Sequence, residues 1–246
     1  MRDSVSILGV RVDSLTLSEA ADNVENYIGT EGSRIIVTAN PEIIMLALQD
    51  VEFSAILAEA EMVTADGIGL VLGAKIVGQP LPDRVTGIDL SHEIFRRAVS
   101  KGWRIFLLGA APGTAEQAAA NLGRQYAGIQ IVGVHHGYFK PEDEEEIIQQ
   151  IQTARPDILL VALGMGRQEK WIWKNRHRLQ VPVNIGVGGS LDVYAGRVKR
   201  APRWMQKFGL EWLYRLILQP SRIVRMLVLP KFLIQVILDQ LTTKRV

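Results

Sequence analysis

Short apolar runs alternate with longer amphipathic runs along residues 1–195, and this alternation predicts the secondary structure. Runs of β-branched and aliphatic residues are typical of strands, whereas apolar residues that recur every three or four positions are typical of helices. The predicted strands cover residues 4–12 (one strand or a small hairpin), 34–38, 62–64, 104–108, 129–134, 158–163 and 183–187. Because helical patterns separate most of these strands, we expect an α/β fold whose mostly parallel sheet is flanked by helices.

Local signals mark where several of these helices begin. Thr16 and Glu19 have the spacing of a capping box before an apolar stripe, and Gly29 is a suitable end for that helix. Pro41 suits the first turn of the helix that follows the strand at 34–38. Further helices are predicted over residues 42–60 (in two pieces), 67–74, 88–100, 114–126 and 142–153, and one more follows the turn at 164–166.

Residues 196–246, which we call the appendage, have a different pattern. Basic residues alternate with aromatic residues at the start of the appendage, and two amphipathic helices follow, separated at Pro220. The second of these helices is predicted over residues 222–241, around Pro230. The pattern therefore predicts a core of residues 1–195 and a C-terminal helical appendage of residues 196–246.

Charge separates the same two parts of the chain. Residues 1–195 hold 17 Lys and Arg against 24 Asp and Glu, whereas residues 196–246 hold 11 against 2. A basic segment with a broad apolar face is typical of a helix that lies in an anionic membrane surface. Packing on the core or in a homo-oligomer would cover the same face, and both alternatives stay open. Because large aliphatic residues share the basic surface, nucleic acid is not an expected partner.

Composition excludes several kinds of chemistry. The chain has no cysteine, which excludes disulfides, thiolate metal sites and cysteine nucleophiles and fits a reducing compartment such as the cytoplasm. The N-terminus carries Arg2 and Asp3 without a long apolar run, so no signal peptide is expected. No apolar run approaches the roughly 20 residues that would span a bilayer. We therefore expect a cytoplasmic protein that is at most peripheral to the membrane.

Asp66 is the first candidate for chemistry. It follows the short strand at 62–64, and Gly67 opens the next predicted helix. A carboxylate in this place lies at the carboxyl edge of a parallel sheet, where open α/β folds bind their ligands, and it can act as a general base. The alternative is that Asp66 only caps the helix that follows it. The local sequence does not separate the two interpretations.

Other strand ends present polar side chains or glycine. Thr38 and Asn40 follow one strand, although both residue types also cap helices. Gln168 stands in the first turn of a helix, where it either contacts a ligand or is simply solvated. Glycine-rich turns follow three strands, at residues 109–113, 164–166 and 186–189. Such turns let a backbone approach a phosphate, although many exist only for helix packing. Together with Asp66, they favour a nucleotide or phosphosugar site.

Nine segments of the chain, in order, resemble the WecG/TagA/CpsF glycosyltransferases (glycosyltransferase family 26). They extend over nearly the whole chain and, as a set, are highly specific. The matching segments are residues 38–42, 65–69, 84–89, 106–110, 135–139, 163–171, 186–190, 199–202 and 209–215.

The resemblance implies a Rossmann-like core that transfers N-acetylmannosamine (ManNAc) from UDP-ManNAc with inversion. The acceptor would be N-acetylglucosamine (GlcNAc) on undecaprenyl diphosphate, and the product a β-1,4 linkage for wall teichoic acid. No cofactor and no metal are implied, since the UDP-sugar is a substrate. The resemblance also implies that the appendage docks on the inner face of the cell membrane and helps to complete the active site.

Residue roles come with the resemblance. Asp66 would be the base that deprotonates the acceptor hydroxyl, and Arg215 would complete the active site from the appendage. The implied substrate contacts are Thr38, Asn40, Arg84, Gly164, Gln168, Gly188, Gly189, Ser190, Arg222 and Arg225. In the absence of a metal motif, arginines and helix N-termini would stabilise the departing diphosphate.

Three alternatives differ in what they predict. A related transferase would use another donor, such as the uronic acid form of UDP-ManNAc or UDP-glucose, in exopolysaccharide synthesis. A nucleotide-dependent dehydrogenase would need an acidic residue at the end of the strand at 129–134, and none stands there. A non-catalytic nucleotide-binding or lipid-binding module at the membrane would leave Asp66 without a task.

Overall fold

The computed structural model describes residues 3–218 and 226–243. A hairpin of β1 (Ser4–Ile7) and β2 (Val10–Asp13) precedes a six-stranded parallel sheet with spatial order β4-β3-β8-β7-β5-β6. The sheet strands are β3 (Arg34–Ala39), β4 (Met62–Ala65), β5 (Arg104–Gly109), β6 (Gln130–His135), β7 (Ile158–Ala162) and β8 (Val183–Gly186). Because the strands are parallel, all their carboxyl ends meet at one edge of the sheet. The predicted α/β class and Rossmann-like architecture are confirmed.

The helices connect the strands and cover both faces of the sheet. Near the start of the chain, the Thr16 side chain accepts a hydrogen bond from the Glu19 N–H and Glu19 caps Thr16 in return, which confirms the predicted capping box. The helices are α1 (Leu17–Ile28), α2 (Pro41–Ala47), α3 (Val51–Glu59), α4 (Ile68–Val77), α5 (Gly87–Lys101), α6 (Thr114–Gln125), α7 (Glu144–Ala154), α8 (Arg167–Leu179), α9 (Ser190–Tyr194), α10 (Arg203–Lys207), α11 (Glu211–Leu218) and α12 (Val228–Thr243).

Two apolar cores lie on opposite faces of the sheet. Helices α1, α5, α6 and α9 pack on one face, around buried residues such as Phe95 and Leu191. The hairpin and helices α2, α3, α4, α7 and α8 pack on the other face, around residues such as Phe53 and Ile172. The central strands are apolar on both sides because both faces are covered.

The last helix of the appendage belongs to the second core. Phe232 and Val236 of α12 are buried there, and α12 packs on α4 and α2. A methyl group at Gly73 would lie 3.0 Å from the Phe232 ring, and one at Gly69 would lie 2.8 Å from Leu229. The two glycines, four residues apart on α4, let α12 approach closely. The domain division after residue 195 stays a prediction, but α12 shares a core with the first part.

The opposite face of α12 is apolar and exposed. Residues two apart on a helix point to nearly opposite sides, so the residues next to the buried ones turn away from the core. The exposed apolar residues of α12 are Ile234, Ile237, Leu238 and Leu241. Packing on the core is therefore confirmed for one face of α12, whereas the docking of the exposed face on a membrane stays a prediction.

None of the helices in residues 3–218 and 226–243 combines the length and hydropathy that crossing a bilayer requires.

We predict that Phe232→Ala lowers the free energy of unfolding by about 3–5 kcal/mol, because it leaves a cavity between α12 and α4. Phe232 has no exposed surface, whereas Ile234 is 57% exposed on the same helix. The matched variant Ile234→Ala should change the stability by less than about 0.5 kcal/mol. Urea denaturation of both variants measures the difference, and equal losses would contradict the packing described for α12.

Candidate active site

A cleft of about 560 Å³, which we call the main cleft, runs along the carboxyl edge of the sheet. Every strand of the sheet contributes at least one residue to the wall of the main cleft. This residue lies either near the carboxyl end of the strand or just beyond it. These residues include Asn40 after β3, Asp66 after β4, Ala110 after β5, Tyr138 after β6, Gly164 after β7 and Gly188 after β8. The fold thus converts six separate strand ends into one continuous polar wall.

A smaller cavity of about 160 Å³, which we call the side groove, adjoins the main cleft. The body of the protein forms one wall around Gly67 and Arg84, and the appendage forms the other. The appendage residues of the side groove are mostly apolar: Gly209, Glu211, Trp212, Met226, Val228 and Leu229. Four described residues line both cavities, and we call this junction the neck: Asn40, Glu42, Asp66 and Glu211.

Asp66 lies at the neck and does not cap the helix that follows it. Gly67 is the N-cap residue of α4, and no side-chain hydrogen bond caps that helix within the described part of the chain. The Asp66 Oδ2 atom instead accepts a hydrogen bond of 3.1 Å from the N–H of Gly87, the first residue of α5. The capping interpretation is therefore wrong for α4, because the carboxylate turns across the neck towards a neighbouring helix N-terminus.

Thr38 and Asn40 line the main cleft but also have structural partners. The Asn40 side chain caps α2 by accepting a hydrogen bond of 3.0 Å from the Ile43 N–H. The buried Thr38 hydroxyl donates to the Gly186 carbonyl at 3.1 Å, which ties β3 to β8. Capping is thus correct for Asn40, and both residues still border the space that a ligand would fill.

Gln168 is buried, so its interpretation as a solvated first-turn residue is wrong. Its Oε1 accepts a hydrogen bond from the Gly188 N–H at 3.0 Å, and its Nε2 donates to Glu169 Oε1 at 2.7 Å. Glu169 has no exposed surface and also accepts a bond of 2.8 Å from the Gly166 N–H. Gln168 and Glu169 therefore connect the turn after β7 to the turn after β8.

Glycine is present in the glycine-rich turns for different physical reasons. Gly109 has φ +134°, and a methyl group there would lie 2.4 Å from the Ala162 carbonyl oxygen, so backbone packing requires glycine. Gly188 has φ +51°, and nothing lies within 4 Å of the place where its side chain would begin. The turn at Gly188 thus leaves open space beside the main cleft, which the turn at Gly109 does not.

Four charged side chains join the appendage to the core beside the neck. Glu211 Oε2 lies 3.2 Å from Arg84 Nη1, and Glu211 Oε1 accepts a hydrogen bond of 3.1 Å from Arg200 Nε. Arg200 Nη1 donates to Asp89 Oδ1 at 2.6 Å. The helical spacing of Glu211 and Arg215 predicts a pair between them as well, but the Arg215 side chain lies outside what the structure describes.

The structure brings most of the predicted site residues to one place. Those that line the main cleft are Thr38, Asn40, Asp66, Gly164, Gln168, Gly188, Gly189 and Ser190. Arg84 lines the side groove. Arg215 stands within α11, but its side chain lies outside what the structure describes, as do Arg222 and Arg225 entirely. The roles of these residues stay predictions.

Several residues of the wall were not singled out from the sequence. The additional charged or aromatic residues of the main cleft are Glu42, Tyr138, Arg167, Asp192, Arg200 and Glu211. All of these residues except Asp192 stand inside segments that carry the family resemblance, which is the signal that could have identified them. Among the described residues, no three His, Asp or Glu side chains converge as a metal site would require.

We predict that Glu169 makes stability depend on pH. Burial raises the pKa of the Glu169 carboxyl above its usual 4.5, although its N–H donors act in the other direction. The folded state therefore binds this proton more readily than the unfolded state. We compare the free energy of unfolding of the wild type with that of Glu169→Gln. The wild-type value minus the variant value should be largest below pH 4.5, and it should fall as the pH rises through the pKa of Glu169 in the folded state.

Urea denaturation of the wild type and Glu169→Gln between about pH 4 and pH 8 measures this difference. Glu145→Gln, which removes a surface carboxylate beside Arg178, controls for the loss of a charge elsewhere. If the difference instead grew with pH, the N–H donors would outweigh burial.

Comparison with known proteins gives a consistent result. A family model described as the glycosyl transferase WecG/TagA/CpsF family matches residues 5–246. A protein of Bacillus spizizenii is 39% identical over 226 residues, which are 92% of this chain and 87% of that protein. A protein of Staphylococcus aureus is 35% identical over 234 residues, which are 94% of this chain and 91% of that protein.

Both relatives carry the name N-acetylglucosaminyldiphosphoundecaprenol N-acetyl-beta-D-mannosaminyltransferase. A relative from Bacillus subtilis with the same name is 38% identical over 220 residues. The match extends over the core and the appendage together. This chain therefore belongs to the WecG/TagA/CpsF family of glycosyltransferases.

Proposed function

We propose that this chain transfers ManNAc from UDP-ManNAc to the 4-hydroxyl of GlcNAc on undecaprenyl diphosphate, with inversion and without a metal. The names of its relatives describe this acceptor and this sugar. The observation that carries the proposal is the place of Asp66, at the neck where a large polar cleft meets a small apolar groove. A transferase needs its base where donor and acceptor meet.

The main cleft suits the UDP-sugar donor. Its volume of about 560 Å³ is in the range of small-molecule sites. Asp66 follows the edge strand β4, whereas Tyr138 follows β6 at the other edge of the sheet. A donor whose sugar reaches Asp66 therefore extends its nucleoside towards β5 and β6. Tyr138 is 74% exposed there and offers an aromatic face to the base.

The side groove suits the acceptor. Trp212, Met226, Val228 and Leu229 give it an apolar wall that comes from the appendage. An acceptor that carries a sugar, a diphosphate and a prenyl chain needs a polar end and an apolar end. The neck provides the polar end, so the GlcNAc ring would lie beside Asp66 and the prenyl chain would leave along the appendage.

Asp66 then acts as the general base. Its carboxylate takes the proton of the acceptor 4-hydroxyl while that oxygen attacks the anomeric carbon of ManNAc. The bond between the anomeric carbon and the donor phosphate breaks, and UDP leaves with the electron pair. Because the attack is a single displacement, the anomeric configuration of the β-linked product is opposite to that of the donor. The hydrogen bond from Gly87 holds Asp66 Oδ2 in place during this step.

The departing diphosphate requires positive charge. The described wall of the main cleft holds two arginines and four carboxylates, namely Arg167, Arg200, Glu42, Asp66, Asp192 and Glu211. This wall is therefore net negative, which does not favour a diphosphate. We propose that Arg215, Arg222 and Arg225 of the appendage supply the missing charge, as guanidinium groups suit phosphate geometry.

The exposed face of the appendage suits reversible docking on an anionic membrane on the cytoplasmic side. Trp204 of α10 is 58% exposed and Phe208, which directly follows α10, is 72% exposed, beside exposed Arg203 and Lys207. Aromatic and basic side chains on one surface are typical of interfacial helices. Docking would bring the neck close to an acceptor whose prenyl chain is held in the membrane.

We expect the wild type to release UDP from UDP-ManNAc when it is given a short-chain lipid diphosphate that carries GlcNAc, with EDTA present. Asp66→Asn should reduce this rate by about a hundredfold or more, the usual effect of removing a general base. The amide oxygen can still accept the hydrogen bond from Gly87, so the fold should persist. Asp22→Asn, which removes an exposed carboxylate of α1, should leave the rate unchanged.

The same assay separates the alternatives. Equal rates for wild type and Asp66→Asn would keep the transferase and remove Asp66 as the base. Turnover only with UDP-glucose or the uronic acid donor would replace the donor, and loss of turnover with EDTA would contradict the metal-free mechanism. No turnover with any of these donors would favour the non-catalytic binding module.

We predict that Trp204→Ser combined with Phe208→Ser weakens binding to anionic phospholipid vesicles by about tenfold or more, since each aromatic side chain loses its burial in the interface. Vesicle sedimentation measures the effect. Val99→Ser, which removes a half-exposed apolar side chain from α5, should bind like the wild type. Unchanged binding of the double variant would contradict the docking surface. Point substitutions are preferable to truncation, which would remove Phe232 from the core.

A further inference from the structure

Glu211, the first residue of α11, bridges two arginines that come from distant parts of the chain. Its two carboxylate oxygens contact Arg84 at 3.2 Å and Arg200 at 3.1 Å. The three side chains are only 15–18% exposed, so solvent screens these pairs less than it screens surface pairs. The bridge therefore fixes α11 against the loop before α5 and against the segment before α10.

The two arginines face different cavities. Arg84 lines the side groove, Arg200 lines the main cleft, and Glu211 stands at the neck between them. Arg200 has a second carboxylate partner in Asp89. Burial acts to lower the pKa of Arg200, but Asp89 and Glu211 outweigh it and raise that pKa. Arg200 would thus stay anchored without Glu211, whereas Glu211 is the only described carboxylate within 4.0 Å of the Arg84 guanidinium group.

The contact with Glu211 orients Arg84 without exhausting its donors. A guanidinium group has five N–H donors. The ion pair engages Nη1 of Arg84 and leaves the rest of the fork for a second anion. A carboxylate that holds an arginine in one orientation reduces the conformational entropy that the side chain loses when it binds phosphate. Arg84 is also the only described cation among the residues that line the side groove.

We propose that Glu211 is a positioning residue of the transfer reaction, which orients Arg84 towards the diphosphate of the acceptor in the side groove. This inference rests on the proposed function, because that function places the acceptor there. The proposal gives the first turn of α11 a role in catalysis, in addition to the docking of the appendage on a membrane. The contact between Glu211 and Arg84 thus has two effects. It holds α11 on the core, and it orients Arg84 towards the diphosphate.

Glu211→Gln tests the proposal. The single oxygen of an amide cannot hold both arginines, so Arg84 loses its orientation. With a short-chain lipid diphosphate that carries GlcNAc, kcat/KM should fall about tenfold to a hundredfold, the scale of a hydrogen bond to a charged group. With an alkyl GlcNAc that has no phosphate, kcat/KM should change less than about threefold, and the KM for the UDP-sugar should stay the same.

Glu93 offers a matched control. It also contacts two arginines, Arg96 and Arg97, but on the outer surface of α5. Glu93→Gln should leave the kinetics with both acceptors unchanged. Arg84→Lys keeps a positive charge but loses the planar fork, so it should reproduce the acceptor-selective loss even if Glu211→Gln folds poorly. In an Arg84→Ala background, Glu211→Gln should cause little further loss, because the two residues act as one unit.

Two outcomes would overturn the proposal. Equal losses with the phosphate-containing and the phosphate-free acceptor would show that Glu211 only supports the fold. A lower KM of Glu211→Gln for the lipid diphosphate would show that Glu211 competes with the diphosphate instead of preparing its site.

A binding measurement separates this inference from the proposed function. Calorimetric titration with a short-chain prenyl diphosphate needs no turnover and should give a Kd about tenfold weaker for Glu211→Gln than for the wild type. If the wild type turned over no donor but the Kd shifted as expected, the proposed function would fail, whereas the role of Glu211 in orienting Arg84 towards a diphosphate would stand. An unchanged Kd would overturn the inference, whatever the turnover.

Discussion

The packing of Phe232 against the backbone of α4 determines where the C-terminal part of the chain can lie. The Phe232 ring packs over Gly73, and Leu229 packs over Gly69. Helix α12 therefore lies closer to α4 than it could if either glycine carried a side chain. Since Met226, Val228 and Leu229 also line the side groove, this contact places the apolar wall of the groove next to Asp66. The second cavity of the site therefore depends on a contact in the core.

Electrostatics places the polar half of the same junction. A carboxylate at the neck needs partners, and Asp66 receives one from the N-terminus of α5, where the helix dipole favours negative charge. Glu211 forms ion pairs with two arginines, Arg84 of the core and Arg200 of the appendage. The described wall of the main cleft nevertheless keeps an excess of negative charge. In our account, the cationic appendage balances this excess when both diphosphates are bound.

The sequence predicts those features that local chemistry determines. The capping box of Thr16 and Glu19, Pro41 at the start of α2 and the strands of the sheet all follow from neighbours in the chain, and the structure confirms them. Helix α9 was missed because its five residues are too few for a periodic pattern.

The features that were missed or wrongly assigned depend on distant residues. Gln168 is buried where it accepts a hydrogen bond from Gly188, and Glu211 contacts Arg84 and Arg200. No local pattern contains these contacts. The spacing of Gly69 and Gly73 was visible in the sequence and indicates a close helix contact, but not which helix makes it.

The most direct test of the account is a structure of the protein with UDP and a short-chain lipid diphosphate that carries GlcNAc. We expect UDP in the main cleft, the lipid along the side groove, and the GlcNAc 4-hydroxyl oxygen about 2.6–3.2 Å from an Asp66 carboxylate oxygen. An acceptor hydroxyl that contacts a different base, or a lipid that lies outside the side groove, would contradict the claim that the two substrates meet at the neck.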